Sequence, residues 1–176
     1  EQFHATSAAT ALATRLAAKI KTATPALSML SVRGMMVHSA KWTPEMIRIG
    51  NIKDIIPLCG YGVPDEETAL FSNEKYATFI FENELIPYWE KDGSNTYNQL
   101  HFYDLPWPTE VLEQMGEENV KIRITLSYYV KPSPGYAGRS NKYRYPSATL
   151  HFDLKSASES MEEFLCRRTV SYTHLT

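Results

Sequence analysis

The 176-residue chain is short of most features that would betray a specialised class. It holds only two cysteines, Cys59 and Cys166, too few for a disulfide scaffold. They fit a reducing compartment and favour a cytoplasmic setting. No apolar run approaches the roughly 20 residues that span a bilayer, so a membrane partner is not expected. No signal peptide is visible. Neither sign of charge dominates: 18 Lys and Arg face 20 Asp and Glu, a formal net charge of −2. Electrostatics therefore propose no nucleic-acid partner. There is no internal repeat and no low-complexity tract. His38, His101 and His151 stand singly and lack metal-ligand spacing. No metal site and no cofactor are expected.

Three regions remain. Residues 1–72 are rich in Ala, Met and Leu and read as helical. Ala8 to Lys21 is an Ala-rich run with Arg15, Lys19 and Lys21 spaced as a solvent-facing set. Its small side chains favour helix and close packing, so burial on most sides is expected. Pro25 follows its end. A second helix is expected from Ser28 or Ser31 to Ala40. Thr43-Pro44 is a cap and first-turn pair for a third. Gly60-Tyr61-Gly62 reads as a turn, with a last short helix from Pro64-Asp65 to Leu70.

Residues 73–155 gain Tyr, Phe, Thr and Ile. Tyr76–Phe81, Lys121–Tyr128 and Ala148–Leu154 read as strands, and in the last two apolar and polar residues alternate as on a half-buried strand. Pro132-Ser133-Pro134-Gly135 is a loop. Trp107, within Leu105-Pro106-Trp107-Pro108, reads as a packing anchor for a helix from Glu110 to Met115 that Gly116 stops. An antiparallel β-sandwich or jelly roll is the expected architecture here. Glu82 and Glu84, two apart, belong on a solvated sheet face. Arg139, Lys142 and Arg144 among Tyr136, Tyr143 and Tyr145 could bind single strands, but sheet tyrosines with charged neighbours are the commoner cause. Residues 156–176 form a tail. Arg167 to Thr176 shows no periodicity and is expected to be unstructured.

Ser7 opens the Ala-rich helix. One reading is an N-cap. The other is a nucleophile, because free N–H groups and a positive dipole lie where an oxyanion would form. His4-Ala5-Thr6-Ser7-Ala8-Ala9-Thr10 resembles the serine motif of the subtilisin-like proteases, Gly-Thr-Ser with two small residues and then Pro. The helices that follow and Gly60-Tyr61-Gly62-Val63-Pro64-Asp65 are similar to the end of a subtilase catalytic domain. Leu105–Pro108, Ile122–Tyr128, Pro132–Gly135 and Lys142–Tyr145 resemble the β-rich extension of a bacterial subtilase subgroup. The likeness runs over about residues 3–155, with Ala5 in place of the usual Gly and Thr10 in place of the usual Pro.

The resemblance implies an α/β fold whose C-terminal helical part is residues 1–72, followed by a β-sandwich extension in 73–155. It implies a serine endopeptidase acting on protein or peptide substrates, with Ser7 as nucleophile and Thr6 and Ala8 beside the oxyanion site. Subtilases run Asp, His, Ser along the chain. The base, its orienting Asp and the side-chain oxyanion donor are therefore expected upstream of Glu1, and the chain is expected to be an inactive fragment. His4 would have to fold back from a tight turn to serve Ser7, and is expected to line a pocket or face solvent. Val170–Thr176 resembles a translated sequencing adapter, foreign to the natural protein. The alternative is a non-catalytic module binding a partner through a β-sandwich surface, with Ser7 only a cap.

Overall fold

Local sequence signals set the helix boundaries in the first half of the chain. In the computed structural model, helix α1 runs Thr6–Ala23 and α2 runs Met29–Ser39. The N-cap of α2 is Ser28, whose hydroxyl accepts from the Ser31 N–H at 3.1 Å. The short α3, Pro44–Ile47, has Thr43 as its cap and Pro at its first position. Helix α4, Ile52–Cys59, is capped by Asn51. Helix α5, Glu66–Leu70, starts where Asp65 Oδ1 accepts from the Thr68 N–H at 2.8 Å. Strands β1, Tyr88–Lys91, and β2, Ser94–Tyr97, pair antiparallel, Tyr88 opposite Tyr97 and Lys91 opposite Ser94. Helix α6 spans Thr109–Met115 and α7 spans Met161–Tyr172. The structure describes residues 5–70, 76–86, 88–91, 94–97, 99–105, 108–117, 119–130, 150, 152–156 and 158–172.

The chain divides into two compact units, residues 1–131 and 132–176. In the first, α1, α2 and α5 pack together over Leu16, Ile20, Leu27, Val32 and Ala69, with Met35, Met36 and Leu70 against them. Removing these side chains from water is the main favourable term. At the rim, Lys19 of α1 pairs with Glu66 of α5, and Arg15 lies 3.5 Å from the same carboxylate. Arg15 is exposed and Lys19 partly so, as expected of a solvent-facing set, and both also tie two helices together. In the second unit, α7 opens on a reciprocal capping box. The Ser160 hydroxyl accepts from the Glu163 N–H at 3.2 Å, and the Glu163 carboxylate accepts from the Ser160 N–H at 2.8 Å. Phe164 is buried, and Arg167 stacks on its ring while bonding Asp153 and Glu159.

Several expectations are overturned. The β-sandwich is absent from the described residues, whose sheet structure between 73 and 155 amounts to the β1–β2 hairpin. Residues 77–81 and 121–128 form no strand, nor do Leu150 and residues 152–154. The α/β-plus-sandwich architecture is thus not what the described residues adopt: they are mainly helical. The reason is visible in residues 121–128. Their alternation is real, but the polar set Arg123, Thr125 and Ser127 faces α2, and Ile122, Ile124 and Leu126 are left 40–55% exposed. The side chains of this segment bond a helix, and no described strand pairs with its backbone. Glu82 and Glu84 share no strand face either. Glu82 accepts the Ser28 N–H at 2.8 Å and so supports the start of α2. Helix α1 is not buried on most sides: Leu16 and Ile20 are buried, while Leu12 is 63% exposed. Residues 167–172, expected to be unstructured, continue α7. Pro132–Gly135, Arg139, Lys142, Arg144, Trp107, His151 and residues 173–176 lie outside the described residues.

Candidate functional site

Ser7 occupies the second position of α1. Thr6 is the first helical residue and Ala5 is the N-cap. Ser7 is therefore not the cap, which corrects the simpler reading of its hydroxyl. Ala5 has φ −142° and ψ 137° and gives no side-chain cap bond. Its carbonyl accepts from the Ala8 and Ala9 N–H groups at 3.1 and 3.3 Å. The N–H groups of Thr6 and Ser7 find no acceptor among the described residues. Two unpaired donors at a helix start are an anion-favouring arrangement, reinforced by the dipole of an 18-residue helix.

The Ser7 side chain is exposed, as are Ala5 and Thr6, while Ala8 is half-buried. No described residue hydrogen-bonds the Ser7 hydroxyl. The substituted positions of the motif are accommodated locally. Ala5 sits in the extended region open to every L-residue, so a methyl group there brings no backbone strain. Thr10, where the motif usually has Pro, donates its hydroxyl to the Thr6 carbonyl at 2.9 Å. Thr14 repeats the bond one turn on, to Thr10 at 2.8 Å. Such back-bonding hydroxyls are compatible with helix interiors.

Neither described histidine, His38 or His101, hydrogen-bonds Ser7. His38, near the end of α2, places Nδ1 2.9 Å from the Thr125 hydroxyl. Burial, and secondarily the nearby Arg123 guanidinium, hold its imidazole below the ordinary histidine range. His101 lies beside the Tyr103 ring. His4 lies outside the described residues. Among the described residues, no group of three or more His, Cys, Asp and Glu side chains could hold a metal ion. No described helix is long and apolar enough to cross a membrane. The sandwich surface on which the interaction-module reading depended is not found among the described residues.

One cluster escaped the sequence reading. Arg123 Nη1 donates to the carbonyl oxygens of His38 at 2.7 Å and Ala40 at 2.9 Å, at the open end of α2. Ser127 donates to the Leu30 carbonyl at 3.2 Å and receives Arg33. The signal was the period of two in Arg123, Thr125 and Ser127, which also marks an ordinary solvated strand face.

The model of the Subtilase family, peptidase S8, matches residues 1–81. The matched stretch takes in the serine motif, α1 to α5 and the Gly60–Asp65 turn. It bears out the resemblance to subtilisin-like proteases and gives this part of the chain a serine-protease-like relationship. No curated protein and no solved structure matches the chain.

Proposed function

We propose that the chain carries the nucleophile of a subtilisin-like serine endopeptidase, with Ser7 attacking the scissile carbonyl of a protein or peptide. The observation that carries the reading is the place of Ser7: exposed, in a family-matched motif, at the start of α1, where the Thr6 and Ser7 N–H groups find no acceptor among the described residues. In the intact enzyme a histidine would take the Ser7 proton, and an aspartate would orient that histidine. Both are assigned to sequence ahead of residue 1, following the family order Asp, His, Ser. The Ser7 N–H would help hold the oxyanion, with Thr6 and Ala8 shaping its surroundings.

A serine hydroxyl is a weak nucleophile until a base is beside it. This chain on its own is therefore proposed to be inert, and the parent protease to be active. The test compares both with a serine-reactive phosphonate probe. Labelling of Ser7 in the parent, with none in residues 1–176 alone, is the expected result. A parent labelled at another serine and not at Ser7 would remove the assignment.

A further inference from the structure

The segment 119–130 runs antiparallel to α2, and the polar contacts that fasten it there are few and specific. Ser127 meets Leu30 and Arg33 near the start of the helix, Thr125 meets His38 near its end, and Arg123 meets the carbonyls of His38 and Ala40. Its apolar side chains are covered only in part: Ile122, Ile124 and Leu126 stay 40–55% exposed. This partial apolar cover and the polar bonds together hold the segment.

We propose that this attachment is a proton-sensitive clasp: neutral His38, bonded to Thr125 beside the Arg123 guanidinium, keeps residues 119–130 docked on α2, and protonation of its imidazole releases them. With the imidazole proton on Nε2, Nδ1 accepts the Thr125 hydroxyl. A second proton on the ring turns Nδ1 into a donor, which the Thr125 hydroxyl can still accept, so this bond reverses and is not what releases the segment. The same proton sets a second cation beside Arg123 in a half-buried place, where charge is poorly solvated.

The other charges around α2 do not offset this. Arg15 and Lys19 of α1 are engaged with Glu66 of α5, and Lys41 with Asp65. Lys21 of α1 bonds the Pro25 carbonyl, Arg33 of α2 itself bonds Ser127 and Tyr128, and Glu67 of α5 and Lys121 of the segment are exposed. Arg123 is the charge that bears on the ring, and it disfavours the protonated form.

The sign of the effect follows. The released ring titrates near its ordinary value and the docked ring below it, so the released state binds the proton first. Docking is complete above the ordinary histidine value and weakens as pH falls toward the docked one.

Limited proteolysis within residues 122–127 in the whole chain, corrected for the protease's own rate at each pH, reads the docking as protection from cleavage, because the segment is held through its side chains. Between about pH 7.5 and about pH 5.5, protection should fall about threefold or more in the unaltered chain. His38→Gln, which keeps a polar side chain without a titrating proton, should remove that fall. Should His38→Gln lose protection at both pH values, the titration of the His38 ring in the unaltered chain decides instead. Its midpoint should lie below the ordinary value of about 6.5 and rise in Arg123→Gln. Protection independent of pH in the unaltered chain would overturn the proposal, as would an unchanged midpoint in Arg123→Gln.

Discussion

Gly62 lies so close to Lys41 that a Cβ built on it would fall 2.3 Å from the Lys41 carbonyl oxygen. The approach is needed because Lys41 and Val63 exchange backbone hydrogen bonds of 2.9 Å in both directions, an isolated antiparallel bridge. That bridge joins the end of α2 to the turn leading into α5. Gly62 also has φ +98°, a region that costs an L-residue strain. Gly62→Ala should therefore destabilise the first unit by about 2 kcal/mol or more, from strain and the lost bridge together. Denaturant unfolding measures it, and a midpoint unchanged from the parent chain would contradict the geometry.

Asp65 gives that same region an acid dependence. The Thr68 hydroxyl and N–H, and then Lys41, hold its carboxyl below the usual aspartate range. The folded state thus releases this proton more readily than the unfolded one. The stabilisation is present above the ordinary aspartate value and is lost as pH falls through the folded one. Asp65→Asn, which keeps the capping oxygen but not the charge, should flatten that part of the acid melt. An identical acid limb in both proteins would show that other carboxylates carry it.

The tail tests the second unit. Arg167 bonds Asp153 at 2.6 Å and Glu159 at 3.0 Å and lies over the Phe164 ring. Ending the chain at Cys166 removes these contacts and the last turns of α7. Loss of hydrogen-exchange protection at Phe164 and Leu165 is expected. Unchanged protection would mean that residues 167–172 add nothing to the helix.

The first half of the fold was legible because its signals are local. Ser28, Thr43-Pro44, Pro25 and Gly116 each act within a turn of the boundary they set. Helix α4 was missed because Pro57 inside it argues against a helix interior. Helix α7 was missed although Ser160-x-x-Glu163 is a capping signature. The hairpin was missed although Asp92-Gly93, the dipeptide between its strands, favours tight turns. Residues 121–128 misled for a deeper reason. A period of two states which residues share a face, not which face is covered, and here the covered face is the polar one. The placement of Ser7 near a helix start followed from the Ala-rich run. That Ala5 would take the cap, leaving Ser7 exposed at the second helical position, depended on backbone angles that composition does not encode.

The proposed role of Ser7 is tested most directly by turnover of a broad protein substrate by the longer protein that the proposal calls for and by its Ser7→Ala variant. Removing a triad nucleophile costs on the order of 10⁶-fold in kcat, because what remains is binding and the oxyanion site alone. A fall of that order, with KM little changed and the thermal midpoint kept, is the expected result. A Ser7→Ala enzyme that retains near-normal turnover would contradict the assignment and leave this serine an ordinary residue of the first turn of α1.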